Sequence, residues 1–185
     1  YKGETIVKTP MNYNLAIEIA KDIISVPNCE VLLSGEKTAY IMPKTEEYLI
    51  RMTKVVQYKT TIIKSLDEIQ EDILKVSVCD LSGIANSEKY FADKWSDKAA
   101  AAVSGDQYMD FMDLCVSKGD ALKKVQKIYG IDRSECMAFG DNYNDCEMLK
   151  QAEFSYAMAS AADDIKKNAL YVTDSVEKIL RGELL

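Results

Sequence analysis

The sequence predicts an α/β protein in which two kinds of architecture follow one another. In the last third of the chain, helix-forming and strand-forming segments alternate, an order typical of a parallel sheet covered by helices. The first two-thirds mixes strands and helices with several hairpin-like turns, which indicates an α+β module. We place the boundary between Phe111 and Ser117, where the pattern changes.

The first two-thirds opens with a helix that Asn12 or Asn14 can cap and that runs to about Ile24, because apolar residues recur there with helical spacing. Short segments rich in apolar and β-branched residues, separated by turn residues, predict strands in the same region. The segments expected to be extended are Lys2–Lys8, Glu30–Leu33, Lys37–Ile41, Gln57–Ile63, Ile73–Cys79, Ala100–Ser104 and Tyr108–Leu114.

Three further helices are predicted between these strands. Pro43 and Thr45 open one that continues to about Val55. Ser65 and Glu68 form a capping-box pattern, in which each side chain satisfies a backbone amide at the start of a short helix. The third spans about Ser87–Ser96.

In the last third, Lys118–Tyr129 predicts a helix that ends at Gly130, because glycine readily adopts the left-handed conformation that closes a helix. Asp174 is expected to cap the last helix, with Glu177 three residues further on. Between them we expect strand Cys136–Phe139, helix Tyr143–Gln151, strand Phe154–Met158, helix Asp163–Ala169 and strand Leu170–Thr173.

Composition excludes several classes of function. The chain has 185 residues and a formal net charge of −7, which argues against a nucleic-acid partner because phosphate backbones are bound by clustered Lys and Arg. Apolar runs are too short to span a membrane, so we expect no membrane partner. Five scattered cysteines without a CxxC pair are typical of free thiols in a reducing cytoplasm.

The chain contains no histidine. Ser-His-Asp and Cys-His catalysis and His-ligated zinc are therefore excluded. Carboxylate, lysine, hydroxyl and thiol groups remain, together with metals that prefer oxygen ligands.

The strongest candidate for a site follows the predicted strand Cys136–Phe139. There the chain turns polar in Gly140-Asp141-Asn142-Tyr143-Asn144-Asp145 and then becomes helical. Ligands of open α/β sheets bind outside the carboxyl ends of the strands, and a carboxylate there can hold Mg²⁺. The alternative from these residues alone is an ordinary loop with a helix cap.

A second loop strengthens the first interpretation. Ser117-Lys118-Gly119-Asp120 places a lysine at the start of the predicted helix, although most such lysines are simply solvated. Taken together, the two loops resemble the haloacid dehalogenase (HAD) superfamily, and more closely its Cof-type phosphatases with a large C2-type cap. The resemblance rests on Ser117–Leu122, Phe139–Asp145, Met148-Leu149, Tyr156–Met158 and Ala161.

The resemblance implies a partial Rossmann-like core in residues 114–185, an α+β cap domain in residues 11–113 and a connecting segment in residues 1–10. It implies that Lys118 is catalytic and binds the substrate phosphoryl group, and that Asn144 contacts the phosphate. Asp141 would bind Mg²⁺, and Asp145 would support the metal site and act as a catalytic residue, in some members by orienting the lysine.

The same resemblance implies a Mg²⁺-dependent hydrolase of small phosphorylated metabolites, such as sugar phosphates, that forms an aspartyl-phosphate. The family's nucleophile lies in an Asp-x-Asp-Gly-Thr run, and no Asp-x-Asp-Gly run occurs in residues 1–185. We therefore expect the nucleophile to lie on an absent N-terminal segment and this chain alone to be inactive.

Two other functions are compatible with parts of this pattern. One is a non-catalytic binding or regulatory module of the same fold. This alternative is disfavoured because the chain contains Lys118, Asp141, Asn144 and Asp145. The other is a Ser-Lys hydrolase built on Ser117 and Lys118. Adjacent residues at a helix start do not face each other, so the second is disfavoured.

Overall fold

The computed structural model describes residues 1–57 and 59–183. The chain divides into two compact units, Tyr1–Cys115 and Val116–Leu185. Each unit has its own sheet, and the two sheets differ in how their strands are paired.

The first unit is built on a sheet of six strands with the order β3-β2-β1-β4-β6-β5. All neighbouring strands are antiparallel except β2 and β3, which are parallel. Each strand overlaps a segment predicted to be extended. The strands are β1 (Cys29–Ser34), β2 (Ala39–Ile41), β3 (Thr60–Ile62), β4 (Lys75–Asp80), β5 (Ala100–Gly105) and β6 (Tyr108–Met112).

The helices of this unit also follow the predictions. Helix α1 (Tyr13–Ser25) begins at Asn12, whose side chain accepts a hydrogen bond from the amide of Leu15. Helix α2 (Glu46–Ile50) is capped by Thr45 and continues as a π-helical turn over Arg51–Val55. Helix α3 spans Glu88–Trp95, and the capping box of Ser65 and Glu68 starts a short 3₁₀ helix.

Helices α1 and α3 contribute to the core of the first unit. Ile19 and Ile23 of α1 and Phe91 of α3 are buried in the same cluster as alternating side chains of the sheet, such as Val31 and Phe111. Burying one such side chain contributes about 1.5–3 kcal/mol, so this apolar cluster stabilises the unit.

The second unit contains a three-stranded parallel sheet with the order β7-β8-β9. Strands β7 (Met137–Gly140), β8 (Phe154–Met158) and β9 (Tyr171–Thr173) alternate with helices, which confirms the predicted α/β class. The helices are α4 (Lys118–Tyr129), α5 (Cys146–Gln151), α6 (Asp163–Lys166) and α7 (Val176–Leu180).

Helix α4 ends as predicted. Gly130 follows it with a φ of 64°, which few other residues adopt without strain. Leu149 and Ala152 are buried against Ala138 of the sheet, and Leu122 of α4 packs on the same cluster. This packing holds α4 and α5 together beside β7.

Three predicted details differ from the structure. Lys2–Lys8 forms no strand, although Gly3 lies in a turn. The last helix is capped by Ser175 and not by Asp174, because Ser175 accepts from the amide of Lys178 while Asp174 pairs with the Lys178 ammonium. Within the predicted extended segment Gln57–Ile63, strand β3 is shorter, and Tyr58 lies outside the described residues.

Across residues 1–57 and 59–183, none of the helices has both the length and the apolar character needed to cross a bilayer.

The burial of Ile23 predicts a specific loss of stability. Ile23→Ala is expected to lower the free energy of unfolding by about 2–5 kcal/mol, because it leaves a cavity in the core. Trp95, the only tryptophan, is buried in the same unit, so its fluorescence during urea unfolding reports on this unit. Ile62→Ala, at a side chain that is 56% exposed, is the control and should change stability by less than about 1 kcal/mol. Equal losses in the two variants would contradict the packing described.

Candidate active site

The polar loop predicted from the sequence begins where β7 ends, at Gly140. Asn142 then starts a short 3₁₀ helix, Tyr143–Asp145, and its side chain accepts from the amide of Tyr143 at 2.8 Å. Helix α5 follows immediately. The loop therefore lies at the carboxyl end of a parallel strand, where open α/β sheets bind ligands.

The second loop supplies the lysine. Ser117 caps α4, with its hydroxyl accepting from the amide of Asp120 at 3.0 Å, and Lys118 is the first residue of the helix. The side chain of Lys118 is about half exposed, and its ammonium donates a hydrogen bond to Oδ1 of Asp145. The structure thus brings together two of the predicted site residues, which are 27 positions apart.

Asp145 connects the lysine to the loop. Its Oδ2 accepts from the backbone amides of Asp141 at 3.0 Å and Asn142 at 3.1 Å, while Oδ1 accepts from Lys118. Its side chain is only 4% exposed. Because protein donors occupy both oxygens, this carboxylate is arranged to orient Lys118 and the loop, with little remaining capacity for direct metal coordination.

The charge of Asp145 is stabilised by the same contacts. Burial alone would raise the pKa of this carboxyl group, since it disfavours the ionised form. The hydrogen bonds from Lys118 and from the amides of Asp141 and Asn142 outweigh burial and hold the pKa below its ordinary value. Asp145 is therefore ionised at neutral pH, where it can hold the lysine.

Asp141 and Asn144 differ from Asp145 in their surroundings. Both are exposed, and within the described part of the chain neither side chain has a hydrogen bond. A free carboxylate and a free amide at this end of the sheet are available to a ligand. Among the described residues, no group of three or more His, Cys, Asp or Glu side chains could hold a metal ion by itself.

Two glycines permit the close contacts around these residues. A Cβ atom on Gly140 would lie 2.5 Å from Cβ of Asp145, and one on Gly119 would lie 2.6 Å from Cβ and 2.8 Å from the backbone carbonyl carbon of Glu147. Real Cβ atoms do not approach so closely. Both glycines belong to the predicted motifs, although spacing alone does not reveal which atoms they approach.

The sequence analysis missed Glu147, which contacts the loop that carries the lysine. Its Oε2 accepts a hydrogen bond from the hydroxyl of Ser117 at 2.6 Å. Ser117 therefore bonds to Glu147 and to the amide of Asp120, and among the described hydrogen bonds none joins it to Lys118. This arrangement counts against a Ser-Lys hydrolase, in which the lysine must take a proton from the serine.

A separate cavity of about 310 Å³ in the second unit contains none of the predicted site residues. It is lined by charged and apolar side chains that include Arg133, Lys150 and Lys167. We locate the candidate active site at Asp141 and Lys118 because the polar groups converge there.

Comparison with known proteins identifies the family of the chain. The chain belongs to the haloacid dehalogenase-like hydrolase family, whose model matches residues 1–179. The family predicted from the two loops is therefore confirmed, and it is a family of enzymes.

Two curated relatives are phosphatases by name. The 5-amino-6-(5-phospho-D-ribitylamino)uracil phosphatase YbjI of Escherichia coli is 25% identical over 98% of the chain and 71% of its own length. The phosphatase YwtE of Bacillus subtilis, which carries the same substrate name, is 35% identical over 94% of the chain. The chain spans only 64% of the length of YwtE and 65% of a putative phosphatase of Streptococcus pyogenes.

A solved structure shows the same fold. The crystal structure of SMU.1108c from Streptococcus mutans superposes with a TM-score of 0.79 at 26% identity, covering 98% of the chain and 71% of the other protein.

The surroundings of Asp145 predict a pH-dependent contribution to stability. Asp145→Asn removes the charged contact with Lys118, so it should lower the free energy of unfolding at pH 7 by about 1–3 kcal/mol. Because the native pKa is depressed, this contribution is complete above the unfolded pKa of about 4 and is lost as pH falls through the native pKa. Urea unfolding should show that the difference in free energy of unfolding between wild type and Asp145→Asn becomes smaller below about pH 4.

The control for that measurement is Asp141→Asn in the same loop. It removes a charge from an exposed carboxylate and should change stability by less than about 0.5 kcal/mol. A difference between wild type and Asp145→Asn that stays constant down to pH 3 would contradict the assigned role.

The contact of Gly119 with Glu147 predicts a second loss of stability. Gly119→Ala should cost about 1–3 kcal/mol, because the new methyl group meets backbone atoms that cannot easily move. Gly105→Ala is the control, since that position has open space and an ordinary φ. Thermal unfolding followed by circular dichroism compares the two, and a Gly119→Ala protein as stable as the control would refute the close approach.

Proposed function

We propose that residues 1–185 are part of a Mg²⁺-dependent phosphoric monoester hydrolase that acts on small phosphorylated metabolites, such as sugar phosphates. The observation that carries the proposal is the contact of Lys118 with buried Asp145 beside the free carboxylate of Asp141. Family membership and the phosphatase names of the relatives support the same reaction class.

Lys118 is proposed to bind the phosphoryl group of the substrate. A phosphate dianion approaches a carboxylate nucleophile only when cations screen the repulsion, and a fixed ammonium group also stabilises charge in the transition state. The side chain of Lys118 is half exposed, so a ligand can approach it while Asp145 holds its ammonium group.

Asp145 is proposed to act through Lys118 and the loop. It is the buried partner that orients the lysine, and it fixes the backbone amides of Asp141 and Asn142. This role agrees with the sequence expectation that Asp145 supports the site, but it favours an indirect contribution to metal binding.

Asp141 is proposed as the direct ligand of Mg²⁺ from this chain. Mg²⁺ prefers oxygen ligands, keeps several waters and takes only one or two protein carboxylates, so a single free carboxylate fits its requirements. When bound, Mg²⁺ would supply positive charge that screens the phosphate. The exposed amide of Asn144 is suited to a hydrogen bond with a phosphate oxygen.

The nucleophile is proposed to be an aspartate outside residues 1–185 that forms an aspartyl-phosphate, since these residues contain no Asp-x-Asp-Gly run. The α+β unit is proposed to act as the cap that selects the substrate. Free thiols at all five cysteines are compatible with the reducing cytoplasm that we propose as the location.

The proposal predicts the effect of removing Asp141. The parent protein, comprising residues 1–185 and its nucleophile segment, should hydrolyse p-nitrophenyl phosphate in Mg²⁺ and lose activity with EDTA. Asp141→Ala should lower kcat/KM by about 100-fold or more, because the metal ligand is lost. Phosphate release measures the effect of EDTA and the effect of Asp141→Ala. The substrates tested should include 5-amino-6-(5-phospho-D-ribitylamino)uracil, which the names of both relatives contain.

The control is Glu153→Ala, which removes an exposed carboxylate just before β8 and should leave activity within about twofold. Undiminished hydrolysis by Asp141→Ala would refute the metal assignment. A parent protein that binds phosphate without releasing it from any ester would support the alternative, a binding module of the same fold.

A further inference from the structure

Two contacts hold the start of α4 against the start of α5. The Ser117 hydroxyl donates to Glu147 Oε2 at 2.6 Å, directly before Lys118. Directly after Lys118, Gly119 approaches the backbone of Glu147 so closely that a Cβ atom would lie within 2.8 Å of its carbonyl carbon. Lys118 is thus flanked on both sides by residues that contact Glu147.

The two contacts act on different parts of Glu147. Gly119 lies against the Cβ and backbone of Glu147, which every residue except glycine would supply at position 147. The Ser117 hydroxyl instead bonds to the carboxylate, which only a side chain with an acceptor can replace. The Ser117 hydroxyl also accepts from the amide of Asp120, so the bond to Glu147 orients the group that caps α4. The backbone position of Lys118 is therefore coupled to the side chain of Glu147.

We propose that Glu147 is a positioning residue for Lys118 and that it acts through the Ser117 hydroxyl. The ammonium group of Lys118 must reach Asp145 and, under the proposed function on which this inference rests, a phosphate. A shift of the first turn of α4 moves that group, and displacements of about 1 Å can cost about 100-fold in rate. In this role Glu147 acts through Ser117 and needs no contact of its own with substrate or metal.

An alternative role for Glu147 makes a different prediction. An acidic side chain in the first turn of a helix interacts favourably with the helix dipole of α5. Glu147→Gln removes that charge but retains an oxygen that can accept from Ser117. The positioning role therefore predicts near-normal behaviour of Glu147→Gln, whereas a dipole role predicts that Glu147→Gln and Glu147→Ala are equally impaired.

Chemical modification of lysine tests the inference without any catalytic readout. In the chain of residues 1–185, acetylation by an N-hydroxysuccinimide ester is followed by mass spectrometry at Lys118 and at exposed Lys123 of the same helix. Glu147→Ala and Ser117→Ala should raise the rate at Lys118 about threefold relative to Lys123, since the ammonium group is held less firmly. Glu147→Gln and Ser117→Thr, which retain the hydrogen bond, should match wild type.

Kinetics of the parent protein provide the second test. Glu147→Ala should lower kcat/KM for p-nitrophenyl phosphate by about 10- to 100-fold, and Glu147→Gln by less than about threefold. In a Lys118→Ala background, Glu147→Ala should have less than about twofold further effect, because the residue acts through the lysine. An equal loss in both backgrounds, or an unchanged acetylation ratio, would overturn the inference.

The two proposals fail in distinguishable ways. A parent protein without phosphatase activity, but with the expected acetylation ratios, would refute the proposed function and retain the positioning role of Glu147. An active parent protein in which Glu147→Ala behaves like wild type in both assays would refute the positioning role of Glu147 and retain the proposed function.

Discussion

The contact between Lys118 and Asp145 is the interaction on which the candidate site depends. It joins the first residue of α4 to the end of the loop after β7, and the other oxygen of the same carboxylate binds two amides of that loop. One buried charge therefore fixes the lysine and the backbone on which Asp141 and Asn142 lie. Burying a carboxylate is costly unless its hydrogen bonds are satisfied, so the arrangement favours a single position for each group.

Close backbone packing makes that contact possible. Gly140 lets the strand end directly against Asp145, and Gly119 lets the first turn of α4 lie against Glu147. Larger residues would separate the two loops and leave Asp145 partly unsatisfied. The apolar contacts of Leu122, Leu149 and Ala138 hold the same helices beside β7. The polar site and the small core of the second unit are therefore parts of one packing arrangement.

Much of the fold could be predicted because local signals coincide with the tertiary structure. Gly130 ends α4, Asn12 begins α1 and the Ser65–Glu68 capping box starts its short helix, since each needs only neighbouring residues. The predicted cap of the last helix was wrong because two adjacent residues compete for that position. Asp174 and Ser175 both suit a helix cap, and the choice of Ser175 depends on backbone geometry that the sequence pattern does not specify. Strand pairing, such as β1 between β2 and β4, depends on contacts distant in sequence.

The sequence by itself determined the α/β class, the resemblance to the haloacid dehalogenase family and the chemical types at the site, because glycine, lysine and carboxylate residues occur there in a recognisable order. Only the tertiary structure decided which of those residues are buried in contacts and which are exposed. Burial and three hydrogen bonds make Asp145 the partner of Lys118, while exposure leaves the carboxylate of Asp141 free. The contact of Glu147 with Ser117 was likewise invisible in the sequence, because it joins residues 30 positions apart whose meeting requires α4 to pack on α5.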